Sequence, residues 1–328
     1  MGVGAVSMSG PRATGFAFEV DQRVPFYVYR WSTGWRRAQL SAVLDNYTHV
    51  IVESGTPLFG DALGRSAADD IRLCQRRGLG VALLFHGSDI RLPSRHAERV
   101  AWSPFVAGLD SSTTVLEARA LVNATLVEKL KVPVFVSTPD LLVDLPEAQW
   151  LPVVVEVAAW RAPTQPFAHD GPPVVAHAPS RASLKGSDLI DPVLEALENE
   201  GLVRYRRIQG VASRDMPDVY RNADIVIDQL RLGIYGVAAC EAMAAGRIVV
   251  SHVSEQVREY VARAMGADLP VVEATADSLE SVLRDIVAAP APYLETAAAG
   301  IRFVEAVHDG RVSAQVLGWF LGAPPADV

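Results

Sequence analysis

The feature that most constrains this chain is an alternation of short, β-branched apolar runs with longer amphipathic stretches. THVIVESG (48–55), GVALLF (80–85) and VPVFVS (132–137) are continuous apolar runs, the pattern of strands buried on both faces. Stretches at about 35–45, 65–77 and 112–130 have helical spacing, and PFYVYR (25–30) reads as a strand ahead of the first of them. The rhythm breaks at 161–172, where Pro163, Pro166 and Pro172 mark a linker. It then resumes. PVVAH (173–177), VRYRRI (203–208), DIVID (224–228), RIVVS (247–251) and LPVVE (269–273) read as strands, with helices near 188–199, 214–222, 237–245, 254–265 and 277–288. In the first of these helices Leu189, Ile190, Val193, Leu194 and Leu197 share one face, as a helix covering a sheet requires. Two more helices, 292–307 and 311–321, follow. Strands alternating with helices predict parallel α/β sheets, here in two domains. Such sheets bind ligands beyond the carboxyl ends of their strands.

The size fits. A chain of 328 residues with 50% hydrophobic and 21% charged residues can bury one large core or two smaller ones, its length suggests about two domains, and it is not wholly disordered. Residues 1–165 carry 16 Lys+Arg and 16 Asp+Glu, while 166–328 carry 14 and 22, which places the whole net charge of −8 in the second half. That balance argues against nucleic acid as a partner, since a general binder needs a broad basic face. Any phosphate site must be local. Arg36/Arg37 and Arg72/Arg76/Arg77 read as solvated helix faces, with a membrane surface only a minor option. No apolar run reaches the roughly 18 residues of a membrane span, and no secretory pattern opens the chain. Cys74 and Cys240 form neither a disulfide framework nor a metal cluster, so a cytoplasmic location is the expectation. Walker, GxGxxG, zinc and Ser-His-Asp patterns are all missing from the sequence.

The most specific stretch is DQLRLGIYGVAACEAMAAGRIVV (228–250). A loop with Gly233 and Gly236 leads into a helix carrying Glu241 about one turn in. A glycine at a helix start lets backbone N–H groups approach an anion, aided by the helix dipole. A carboxylate one turn further cannot hold phosphate, but it can accept hydrogen bonds from paired sugar hydroxyls. Spacing alone leaves this open against a Glu that only favours the dipole. A second stretch, HAPSRASLKGSD (177–188), lies between a strand and a helix and carries Arg181 and Lys185. A third, FHGSDIR (85–91), follows a buried strand and places His86 at its carboxyl end.

The sequence resembles family-4-type glycosyltransferases of the GT-B fold over about 80–290, most closely at 173–252. The resemblance rests on the aromatic-glycine pair Tyr235-Gly236 followed by Glu-Ala-Met-Ala-x-Gly and an apolar strand, and on Lys185-Gly186 ahead of a helix. It implies two Rossmann-like domains facing across a cleft. After a leader over 1–24, an acceptor-side domain spans 25–160 and a nucleotide-sugar domain 173–305. A helix over 306–328 crosses back onto the first domain. In this family a Glu, seven residues and a second Glu span the loop. The second matches Glu241, which the resemblance implies binds the donor ribose. The first position holds Gly233, so the implied contacts fall to the backbone of Gly233, Ile234, Tyr235 and Gly236, with Val237 opening the helix. Lys185 is implied to neutralise the donor diphosphate, with Arg181, one position nearer than the usual arginine, beside it.

The same resemblance implies that His86, with Asp89, works near the donor sugar and the acceptor. By placement alone, Asp89 and Arg91 could orient His86 or touch the acceptor, or could simply pair in a loop beside a structural His, and Glu53 at a strand's end could line the acceptor side; Gly210 and Val211 fall where the family's base-binding backbone lies. The implied activity is sugar transfer from a nucleoside-diphosphate sugar, UDP- or GDP-linked, to a hydroxyl acceptor in glycan, glycolipid or natural-product glycoside synthesis. Retention of anomeric configuration and independence from metal or other cofactors come with it. Two alternatives stand beside it: a non-catalytic nucleotide-sugar-binding protein, and a sugar-nucleotide epimerase.

Overall fold

A computed structural model describes residues 4–10, 20–61, 64–106 and 111–322. Parts of the expected leader (1–3 and 11–19) and the end of the last expected helix (323–328) lie outside these residues. The chain begins with a short parallel pair, β1 (Met8–Ser9) and β2 (Gln22–Arg23), then α1 (Phe26–Trp31) and α2 (Thr33–Asn46). The first large sheet is built from β3 (His49–Glu53), α3 (Ala67–Arg76), β4 (Gly80–Phe85), α4 (Pro93–Arg99), α5 (Ser111–Leu130), β5 (Val134–Val136) and β6 (Gln149–Trp150). Its strands run parallel in the order β3-β4-β5-β6. Ala82, Leu83, Phe85, Phe135 and Val136 are fully buried, so the apolar runs occupy the middle of this sheet.

After α6 (Val157–Trp160) the second unit follows: β7 (Val174–His177), α7 (Ala182–Lys185), α8 (Ser187–Asn199), β8 (Arg204–Arg207), α9 (Met216–Arg221), β9 (Ile225–Ile227), α10 (Val237–Ala244), β10 (Ile248–Ser251), α11 (Glu255–Met265), β11 (Val272–Glu273), α12 (Leu279–Ala288), α13 (Ala291–Val307) and α14 (Arg311–Phe320). This sheet is also wholly parallel, in the order β11-β10-β9-β7-β8. The order reverses between β7 and β9. The loops leaving those two strands therefore diverge to opposite faces and open a crevice between them.

One expected strand is a helix. PFYVYR forms most of α1, with Pro25 in extended conformation setting the helix start. Tyr29 is the buried residue of α1, and its hydroxyl donates to Pro57 O at 2.6 Å. LPVVE shortens to two paired residues, Val272 and Glu273. Helix α4 was not foreseen. Its apolar content is low, and its Pro93 start follows a loop rather than a capping residue.

The two sheets are joined at several points. On α14, Phe320 packs with Ala82, Leu84, Phe135 and Leu151 of the first unit, and Trp319 Nε1 donates to Gln149 Oε1 at 2.8 Å. Trp150 meets Tyr260 edge to face at 6.0 Å. His96 Nε2 lies 3.2 Å from Leu232 O. A small cavity lies along this seam, lined by Arg91, Asp140, Gly233 and Ser254 among others. No helix among the described residues is long and apolar enough to cross a membrane.

Candidate functional site

The crevice at the switch point of the second sheet is built by the loops after β7 and β9. The first loop is shaped from below by His177, which is fully buried. Its Nδ1 faces Ile227 O at 2.9 Å and its Nε2 faces Ser187 Oγ at 2.9 Å. A carbonyl only accepts, so Nδ1 carries the proton and Nε2 accepts from the serine. Burial pushes this imidazole down to about 4, so it stays neutral and ties β7, β9 and the start of α8 together. Above it, α7 ends at Lys185, and Gly186 takes φ +79 before α8 begins. Leu230 N–H donates to Lys185 O at 3.1 Å, which fastens the two loops to each other.

The second loop is shaped by a residue that sequence reasoning passed over. Gln229 is fully buried, and its Oε1 accepts from the Arg231 and Leu232 N–H groups at 2.8 and 2.6 Å. Its Nε2 donates to Ile234 O at 2.7 Å and His252 O at 2.6 Å. One amide thus folds residues 230–235 into a fixed coil. Gly233 sits at φ +66, and Ser254 N–H donates to its carbonyl at 3.0 Å. A side chain there would meet this left-handed backbone penalty, so the missing family glutamate is matched by a loop shaped for glycine. Ile234 and Tyr235 are buried, with the Tyr235 hydroxyl 3.4 Å from His308 Nε2 in the core. The Tyr235 side chain therefore does not line the crevice. The Gly233, Ile234 and Tyr235 N–H groups donate to no acceptor among the described residues.

At the start of α10 the groups converge. Lys185 Nζ lies 2.5 Å from Asp228 Oδ1, and the Gly236 N–H donates to Asp228 Oδ2 at 3.1 Å. A Cβ placed on Gly236 would lie 3.5 Å from Lys185 Nζ, so the cation sits against the helix terminus. Val237, the first helical residue, is exposed. Half-buried Glu241 lies one turn further in the same helix. Burial pushes its carboxyl up to about 7, the Asp228 carboxylate adds to the rise, and Lys185 opposes it. Arg181, at the N-cap of α7, is exposed with no capping bond. Gly210, at φ +69, and half-buried Val211 lie in the loop after β8.

Across the seam, the carboxyl ends of β3 and β4 bring Glu53 Oε2 to 3.4 Å from His86 Nε2, both partly exposed. Asp89 and Arg91 are both buried and engaged by protein groups. Asp89 is buried, and its carboxylate accepts from the His86 and Gly87 N–H groups and from Ser54 Oγ at 2.6 Å. It orients His86 through the backbone rather than through the ring, because the tight turn points its oxygens inward. Arg91 is likewise buried, with its guanidinium on Asp140 Oδ2 at 2.5 Å in the seam between the units. It shapes the cavity wall there.

No protein-family model and no curated protein matches the chain. Solved structures do. Sucrose-phosphate synthase from Thermosynechococcus elongatus is 15% identical, over 92% of this chain and 80% of that one, with a TM-score of 0.55. Anabaena HepE, in complex with UDP and glucose, is 12% identical over 87% and 81%, with a TM-score of 0.56. WaaG, a glycosyltransferase involved in lipopolysaccharide biosynthesis, is 13% identical over 88% and 95%, with a TM-score of 0.51. The chain has the fold of these GT-B proteins, two Rossmann-like domains.

Proposed function

We propose that this GT-B chain transfers a glycosyl group from a nucleoside-diphosphate sugar to a hydroxyl acceptor. The observation that carries the reading is Lys185 set against the N-terminus of α10, the helix that carries Glu241 one turn in, at the switch point of the second sheet. As the bond between the anomeric carbon and the β-phosphate oxygen breaks, negative charge grows on the diphosphate. Lys185 and the dipole of α10 would stabilise that charge in place. Among the described residues the N–H groups of 233–235 have no acceptor, which leaves them free to serve as further donors in this loop. Glu241, half-buried and near its protonation midpoint at neutral pH, suits a pair of ribose hydroxyls, which both donate and accept. His86, held through its backbone by Asp89 and facing Glu53, would contact the transferred sugar or the acceptor hydroxyl.

Retention of configuration and independence from metal belong to this reading through the resemblance. With Lys185 as the leaving-group cation, chelation by EDTA leaves the rate unchanged. The test is incubation with UDP- and GDP-sugars and a panel of alcohols, with products read by mass spectrometry. Lys185→Ala and Glu241→Ala are each expected to lower turnover ten-fold or more with unchanged melting. Wild-type rates in both variants overturn the site. Nucleotide binding without turnover supports a non-catalytic binding protein, and product without acceptor supports an epimerase or hydrolase.

A further inference from the structure

Lys185 is the cation of the proposed donor site, yet its ammonium does not stand alone. Asp228 has a fully buried side chain, and its two oxygens face different members of the same site. One takes Lys185 Nζ at 2.5 Å, the other the Gly236 N–H at 3.1 Å. Lys185 itself is 14% exposed, so its amine is fixed in one place rather than sampling solvent. Lysine has three donors and a flexible four-carbon stem. One donor goes to Asp228, which leaves two for a ligand. A buried carboxylate beside an anion site is electrostatically unfavourable for that anion. Its presence there calls for a compensating gain, and the geometry supplies one: the cation is held against the terminus of α10.

We propose that Asp228 is a positioning residue for the diphosphate, a buried carboxylate that sets the Lys185 ammonium and the Gly236 amide in register at the start of α10. This rests on the nucleotide-sugar reading and deepens it. With both oxygens engaged by protein groups and its side chain buried, Asp228 acts through Lys185 and the Gly236 amide. The pre-set cation avoids the cost of ordering a long side chain when the ligand arrives. The Asp228 carboxylate also holds the Glu241 carboxyl up while Lys185 opposes it, and the buried Tyr220 and Cys240 feel the Glu241 charge. Both of the latter are pushed well above their ordinary values by burial and stay neutral.

The sign of one substitution separates positioning from plain charge. Asp228→Asn removes a negative charge, so Coulomb attraction alone would tighten binding of an anion. Loss of positioning weakens it. The measurement is calorimetric titration of the full chain with UDP and with GDP. The expected result is UDP or GDP binding at least ten-fold weaker in Asp228→Asn than in wild type. In parallel, the pH at which affinity drops should move lower, because Glu241 loses its carboxylate neighbour. Equal or tighter binding, with an unmoved pH profile, overturns the proposal. Lys185→Arg provides a second route should Asp228→Asn not fold: charge is kept and placement altered. Binding at least five-fold weaker supports positioning, and wild-type affinity overturns it. A wild-type chain that binds neither nucleotide overturns the nucleotide-sugar reading itself, an outcome distinct from failure of the Asp228 role alone.

Discussion

His96 on α4 and Leu232 in the loop after β9 join the two domains, with imidazole Nε2 3.2 Å from the backbone oxygen. The carbonyl can only accept, so Nε2 carries the proton, and Nδ1 takes a hydrogen bond from Ser103 Oγ at 2.8 Å. Leu232 belongs to the loop that Gln229 shapes. The seam between the domains is thus tied directly to the candidate donor site.

His96→Ala leaves Leu232 O and Ser103 without that partner. The expected cost is about 1–3 kcal/mol, read as a lower urea midpoint. Nucleotide affinity should fall as well, because the loop carrying Gly233 loses its cross-domain anchor. Unchanged affinity with lowered stability would confine His96 to a structural duty.

Acid should weaken the fold through three imidazoles. Burial pushes His96, His177 and His308 each down to about 4, from an ordinary value of 6.5. The unfolded chain therefore binds more protons between those values, and stability falls as pH drops from 6.5 towards 4. Above 6.5 the contribution is complete. Thermal melts from pH 7.5 to 4 should show the decline within that window. A His177→Asn variant should have a shallower slope there, and an identical slope would count against His177.

Gly233→Ala should cost about 1 kcal/mol or more from the left-handed backbone. Gly233→Glu, which restores the family residue, should not raise turnover, because the loop at φ +66 disfavours any side chain. A more active Gly233→Glu variant would show that the loop adapts.

Glu241→Gln should flatten the pH dependence of nucleotide binding. In the wild type the carboxyl ionises through about 7, which adds negative charge near Asp228 and the bound diphosphate. Affinity is expected to decline from pH 6 to 8 in the wild type and to vary less in the variant. Titrations at four pH values suffice, and parallel curves would remove Glu241 from the site.

Much of the fold was legible because parallel strands buried on both faces must be continuous apolar runs, as Val175, Ile225, Val226 and Ile227 are. The 25–30 segment misled for the same reason. Its β-prone aromatics fit a strand, but Pro25 opens a helix there, with Phe26 and Tyr27 left exposed. Lys185 and Glu241 were legible from local motifs, each a few residues from a glycine at a helix start. Asp89 was visible as a residue, yet its inward turn was not.

Residue order by itself determined the strand–helix alternation, the division into two sheets and the loops that carry Lys185, Gly236 and Glu241, because periodicity and glycine placement act over a few residues. Only the folded chain decided that Asp228 grips a lysine 43 positions away, that Gln229 moulds the adjacent coil, and that Arg91 turns into the seam. Those pairings depend on the strand order at the switch point. Hydrogen bonds and ion pairs form across space, and a short-range pattern carries no record of which distant group will stand opposite.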